Sequence, residues 1–185
     1  MTVHIRPPRP SDMSAYAEAV VRSTDHIGAW NPVEPDGLAE LLCRQGPGLR
    51  TFLIIDDEDE GIVGKCNVAN IVRARFRNAV LGYDSYLPYA GTGRMTEGMR
   101  QVVQVCFTAQ PDGLGLHRLE INVQPENFRS IALAKRLGFR YEGFSPRMLY
   151  INDAWRDHER YALTAEEWPG LQRPQAGNAQ TRAIR

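Results

Sequence analysis

The stretch NAVLGYDSYLPYAGTGRMTEGMRQVVQVCF, residues 78–107, carries the most specific pattern in the chain. Its first part, AVLGYDSYL (79–87), has the apolar, β-branched and aromatic residues of a strand. YAGTGR (89–94) is a glycine turn. MTEGMRQVVQVCF (95–107) then sets Met95, Met99, Val102, Val103 and Cys106 at helical spacing on one face. A strand running through Gly91-Thr92-Gly93 into a helix presents main-chain N–H groups and the positive end of the helix dipole, with no side chain keeping an anion away. That predicts an anion cradle, although an ordinary tight turn uses the same glycines. Thr96 stands where a dinucleotide fingerprint needs its last glycine, and the Gly-Lys-Ser/Thr of a P-loop is absent.

Downstream, HRLEINV (117–123) reads as a strand, and NFRSIALAKRL (127–137) as a helix opened by Asn127 and closed by Gly138. YEGFSPRMLYINDAWRDHERYALT (141–164) reads as two antiparallel strands joined near Asn152 and Asp153. Upstream, TVHIR (2–6) alternates as an edge strand ended by Pro7, Pro8 and Pro10. Ser11 and Asp12 are placed to cap a helix with Met13, Tyr16, Ala17, Val20 and Val21 on its apolar side, and a second helix near 36–44 groups Leu38, Leu41 and Leu42. TFLIID (51–56) and GIVGKCNVANIV (61–72) form a hairpin across the acids at 56–60, a run expected to sit in water, as are Arg73, Arg75 and Arg77 at a hairpin end. With no internal repeat and no linker, one domain over 1–169 is expected, followed by a flexible tail over 170–185.

Length and composition agree with one domain. At 185 residues the chain can bury a core without staples, and 43% apolar with 24% charged residues is a globular balance. Lysine plus arginine equal aspartate plus glutamate at 22 each; three of the arginines lie beyond residue 169, leaving 19 basic against 22 acidic groups before it. That body is poorly suited to nucleic acid. No run approaches the roughly 18 apolar residues of a membrane span, and residues 1–10 lack a secretory pattern, so a cytoplasmic location is expected. Cys43, Cys66 and Cys106 show no paired spacing and are expected as core thiols; with the four histidines they form no ligand pattern, and no metal is expected.

Taken in order, NIVRARFRNAVLGY, YAGTGRMTEG, HRLEINVQPENFRS, LGFRYEG and YINDAWRDHERYALTAEEW resemble the RimJ/RimL branch of the GNAT N-acetyltransferase superfamily over about residues 2–168. The resemblance implies an α/β (α+β mixed) fold: a mostly antiparallel seven-stranded sheet, two central parallel strands that splay apart to admit acetyl-CoA, and about four helices. It also implies that Ser85, Tyr86 and Leu87 line the acetyl and pantetheine arm, that Ala90, Gly91, Thr92, Gly93 and Arg94 hold the diphosphate, and that Asn127 and Ser130 reach the cofactor's far side. Two positions depart from the family pattern. Pro88 replaces a frequent Gln or Arg, and Ala134 stands where some relatives carry a tyrosine general acid. Ser130 is then the donor to the departing thiolate.

The expected reaction is direct attack of a neutral amine on the thioester, with main-chain N–H groups stabilising the oxyanion. The resemblance points to the N-terminal α-amine, an alanine, of a ribosomal protein. Such an amine titrates near 7.7–8.0 against about 10.4 for lysine, so a modest base suffices. Glu120 and Asn122 share a strand face and are expected to hold a relaying water, Glu120 as the base. Trp30 and Asn31, with the terminal hairpin, are expected to form the peptide groove. His117, Asp157 and His158 are assigned structural roles, and Cys66 is discounted as an acyl carrier. A small-molecule amine acetyltransferase, acting on polyamines or antibiotics, and a non-catalytic acyl-CoA-binding module are the alternatives.

Overall fold

The computed structural model describes residues 2–171; the tail expected from residue 170 lies, from residue 172 onward, outside the described residues. The chain forms β1 (Val3–Arg6), α1 (Met13–Arg22), α2 (Thr24–Ile27), α3 (Gly37–Arg44), β2 (Leu49–Asp56), β3 (Ile62–Val72), β4 (Asn78–Ser85), α4 (Arg94–Phe107), β5 (Arg118–Val123), α5 (Phe128–Arg136), β6 (Arg140–Ile151) and β7 (Ala154–Thr164). The single-turn α2 is the helix beyond the four expected, and it lies between the two upstream helices read from sequence.

The strands form one sheet in the order β1-β2-β3-β4-β5-β7-β6. All neighbours are antiparallel except β4 and β5, which run parallel. Strand alternation sorts apolar side chains onto two faces. On one face Phe52, Ile54, Cys66, Val68, Leu81, Leu119 and Ile121 pack with Met95, Met99, Val102, Val103 and Cys106 of α4. Each fully buried side chain of this kind contributes roughly 1.5–3 kcal/mol relative to exposure. On the other face Leu53, Ile55 and Ile62 meet Tyr16, Ala19 and Val20 of α1 and Leu38 of α3.

Several local expectations are corrected. Met13 and Val21 are exposed, and Ala19 takes a place in the core instead. The Asp12 carboxylate does not cap α1; it accepts from the Arg9 N–H at 2.7 Å and is paired with Arg6 at 2.7 and 2.8 Å. Cys43 is exposed because the short α3 turns its leucines inward and this position outward, whereas Cys66 and Cys106 are buried. The acidic turn is not wholly solvated, since Asp56 is 1% exposed. Arg73, Arg75 and Arg77 are exposed as expected, but they lie in the β3–β4 turn, where Ala74 and Arg77 have positive φ, and not along a strand face.

The feature that positions the site is the break between β4 and β5. They pair only over Asn78–Val80 and Arg118–Glu120. Beyond that point β4 stays paired to β3 as far as Ser85, and β5 stays paired to β7 as far as Val123. Each strand follows its outer neighbour, so residues 81–85 and 121–123 face one another across a wedge with main-chain groups unpaired on that side.

Candidate active site

At the end of the β4 lip the chain turns through residues 86–93 into α4. Gly91 and Gly93 have φ of +82° and +90°, and a Cβ at either would meet nothing within 4 Å. The space in front of the turn is therefore open, and the left-handed backbone is what requires glycine. Gly93 is the N-cap of α4, and no side chain caps the helix. Ala90 and Thr92 donate their N–H groups inside the loop, to Tyr86 O at 3.0 Å and Tyr89 O at 3.2 Å. The N–H groups of Gly91, Gly93 and the first turn of α4 are left to hold an anion.

The cradle is braced from behind by the acidic turn. The Arg94 guanidinium is ion-paired with Asp56, lies 3.4 Å from Glu58, and stacks 5.7 Å from the centre of the Tyr89 ring. The Tyr89 hydroxyl donates to Asp59 at 2.7 and 2.8 Å. Burial pushes the Tyr89 phenol up to about 12, and its bond to Asp59 adds to the shift. For Asp56, burial alone would raise the carboxyl, but Arg94 and main-chain N–H groups outweigh it and hold the group below its usual range.

Within the wedge, Tyr83 on β4 points to the α4 face and its hydroxyl lies 2.8 Å from Ser130 Oγ in the first turn of α5. Asn127 caps α5, its side chain accepting from the Ser130 N–H at 3.1 Å. Among the described residues, Ser85 Oγ and Asn122 Oδ1 are buried without a protein partner, and both lie past the point where the strands part. Buried polar atoms are normally paired, so these two, like Asn78 Oδ1 and the Tyr86 hydroxyl elsewhere, are open to a further polar partner.

The opposite face of β4 carries a side-chain network. Asp84 Oδ2 lies 3.0 Å from Lys65 Nζ, both side chains being buried, and Asp84 Oδ1 accepts from Asn31 Nδ2 at 2.6 Å. Lys65 also donates to the Tyr16 hydroxyl at 3.2 Å. Burial lowers the pKa of Lys65, but Asp84 and Tyr16 outweigh it, so the ammonium stays charged with its pKa raised. The loop after α2 is tied down from three sides: Asn31 to Asp84, the Trp30 carbonyl to Gln124 Nε2 at 3.1 Å, and the Gly28 carbonyl to Asn152 Nδ2 at 3.0 Å. On β5, Glu120 accepts from Arg118 Nε at 2.8 Å, and Arg118 also holds Glu142.

Comparison with known proteins agrees with this geometry. The profile of the Acetyltransferase (GNAT) domain matches residues 2–140. The chain is 36% identical over 172 residues to the [Ribosomal protein uS5]-alanine N-acetyltransferase of Escherichia coli (strain K12), covering 86% of each. This chain belongs to the GNAT acetyltransferase family. Among solved structures, Mycobacterium smegmatis RimJ in complex with CoA-disulfide aligns at 30% identity and a TM-score of 0.78, covering 89% of this chain and 83% of that one. The ribosomal-protein-S5-alanine acetyltransferase of Vibrio fischeri aligns at 28% and 0.74, covering 89% and 93%. The seven-stranded fold is that of these GNAT neighbours, and the protein is an acetyl-CoA-dependent N-acetyltransferase.

The acetyltransferase has the groups its cosubstrate needs: main-chain donors at the cradle and unpaired polar atoms in the wedge. Of the residues named for that purpose, Gly91, Thr92 and Gly93 form the cradle, and Ser85, Asn127 and Ser130 border the wedge. Two are corrected. Tyr86 is fully buried against Tyr16 on the α1 face, 6.0 Å between ring centres, and its N–H and carbonyl are used by Val63 and Ala90. The Arg94 guanidinium is held by the acidic turn, leaving only its main chain to the diphosphate. Leu87 is partly exposed, with its main chain fixed by Ser23 and Arg22.

Glu120 and Asn122 share a face as expected, but Glu120 is already ion-paired. His117 lies at the sheet end, 3.1 Å from Glu166. Asp157 accepts from the Arg147 N–H at 2.7 Å, where β6 bulges, and His158 is buried with Nδ1 3.0 Å from the Arg156 carbonyl. Burial raises the Cys66 thiol well above its ordinary value, which suits packing and not acyl transfer. The sequence pattern does not mark Lys65 or Tyr83 as site residues, and it assigns Tyr16 only to the apolar side of α1. A lysine inside an otherwise apolar strand was the available signal for the first. Among the described residues no group of His, Cys, Asp and Glu is placed to hold a metal, and no helix is long and apolar enough to cross a membrane.

Proposed function

We propose that this enzyme acetylates the N-terminal α-amine of a protein in the cytoplasm, with the alanine terminus of a ribosomal protein as its acceptor. The sequence support is the similarity to a uS5-alanine enzyme along 86% of both chains. The structural observation that carries the reading is the charge balance of the acceptor face. Asp84 is paired with Lys65, Glu120 with Arg118, and Glu142 with Arg118 and Arg140. A polyamine needs several carboxylates free to meet its charges. A peptide terminus brings one amine and an amide backbone, which suit a groove of neutral and paired groups.

An α-amine asks little of its base. In this reading Glu120 and Asn122 hold the water that takes the amine's proton. Trp30 and Asn31 border the peptide, and unpaired N–H groups on the wedge-facing edge of β4 stabilise the oxyanion. Ser130 donates its hydroxyl to the departing sulfur. The single domain spans residues 1–169.

The deciding experiment incubates enzyme and acetyl-CoA with a peptide copying the uS5 N-terminus and, separately, with spermidine, and weighs the products. The expected result is one acetyl group on the peptide's α-amine and none on a peptide with a blocked terminus. Acetylated spermidine beside unmodified peptide contradicts the reading.

A further inference from the structure

Tyr83 and Ser130 lie on opposite lips of the wedge, 47 residues apart in the chain, with their hydroxyl oxygens 2.8 Å apart. The Tyr83 hydroxyl is also 3.4 Å from the Ser130 carbonyl oxygen, an atom that only accepts. Either hydroxyl can donate across the 2.8 Å gap; in the arrangement in which Tyr83 donates, Ser130 Oγ accepts. Accepting this bond leaves the serine's own O–H to be donated elsewhere. Without it, a serine in a helical turn tends to direct its hydrogen to a nearby main-chain carbonyl.

Tyr83 is held firmly in this role. It stands opposite Cys66 in the β3–β4 ladder, and its ring packs against the α4-side core. Burial raises the phenol's pKa, so the proton stays on Tyr83 throughout the working range. Its neighbour Asp84 faces the other side of the sheet, toward Lys65 and Asn31. Consecutive residues of β4 thus serve the two sides of the wedge.

We infer that Tyr83 is a positioning residue: by donating its O–H across the wedge to Ser130 Oγ, it aims the serine's hydroxyl hydrogen at the departing sulfur. The inference rests on the leaving-group role proposed for Ser130 and is independent of which amine is accepted. Acetyl-CoA supplies the acetyl group as a thioester: a C–N bond forms, the C–S bond breaks with its electron pair on sulfur, and the proton shed by the amine balances the one the thiol gains. Tyr83 ends the turnover with the proton it began with.

The test follows the thiol of bound coenzyme A by the ultraviolet absorbance of its thiolate in wild type, Tyr83→Phe, Ser130→Ala and the double variant. Turnover of whichever amine the wild type acetylates is measured alongside. Ser130→Ala is expected to raise the bound thiol's pKa and lower kcat. Tyr83→Phe is expected to shift the thiol in the same direction and cut kcat by about three- to tenfold, the worth of one hydrogen bond, with the KM for acetyl-CoA unchanged. The double variant is expected to be no worse than Ser130→Ala alone. If Tyr83→Phe does not fold, fluorotyrosine at position 83, a stronger donor of the same shape, is expected to lower the thiol pKa. An unchanged thiol pKa with either replacement, or losses that multiply in the double variant, overturns the inference while leaving Ser130's role intact. An unchanged Ser130→Ala enzyme removes that role and the inference with it.

Discussion

The cradle at residues 90–94 proposed for the diphosphate is built of main chain, whereas the proposed acceptor face is built of side chains, with Tyr16, Lys65 and Asp84 buried, brought together from α1, the loop after α2, β3, β4 and β5. The difference separates two kinds of fragility. A main-chain site depends on backbone conformation and tolerates most side-chain changes, because its donors are peptide groups. A buried ionic network depends on every member, because losing one leaves another charged and unpaired in a poor solvent.

The largest effect should therefore come from the network. Lys65→Ala leaves Asp84 buried without its cation and is expected to lower stability by about 3–5 kcal/mol, read from denaturant unfolding. A loss below about 1 kcal/mol would mean that water reaches Asp84 and that the two regions differ less than argued. Next is the cradle. Gly93→Val puts a β-branched residue at φ +90° and is expected to weaken acetyl-CoA binding at least about tenfold by calorimetry. Unaltered affinity would show that the diphosphate is held elsewhere.

Asn31→Ala removes one bond to Asp84 and one anchor of the acceptor loop. It is expected to raise the acceptor KM by about fivefold, the worth of roughly 1 kcal/mol, without changing acetyl-CoA affinity. An effect on acetyl-CoA alone would reassign the loop to the cofactor side.

The smallest effect concerns pH. Hydrogen bonding to Arg118 outweighs burial and, with help from Arg140, holds Glu142 down at about 2 from an ordinary 4.5. A depressed carboxyl stabilises the fold above pH 4.5, and that contribution is lost as pH falls toward 2. About 1 kcal/mol is expected, Glu142 being partly solvated, and Glu142→Gln should flatten the melting temperature profile over that window. A variant whose profile keeps the wild-type slope contradicts the pairing.

The same contrast explains what could be read from sequence. The cradle, the Asn127 cap and the buried face of α4 are local: the residues that make them lie within a few turns of one another, so periodicity and turn chemistry reveal them. The network is not local. Asn31 reaches Asp84 over 53 residues and Lys65 reaches Tyr16 over 49. No spacing rule foretells such partners. Cys43 departs from its expected core position for a related reason, since the side of an element that faces the core depends on what packs against it. Glu120 was visible as a carboxylate at the wedge, but its pairing with Arg118 was not.

Cosubstrate binding as proposed depends on the opening between β4 and β5. A crystal structure with coenzyme A bound tests it most directly. The expected result is a pantetheine arm between residues 81–85 and 121–123, the diphosphate on the N–H groups of Gly91, Gly93 and the first turn of α4, and the sulfur within hydrogen-bond reach of Ser130 Oγ. A carrier bound outside that opening, with the two strands drawn together or the gap filled by side chains, would contradict it.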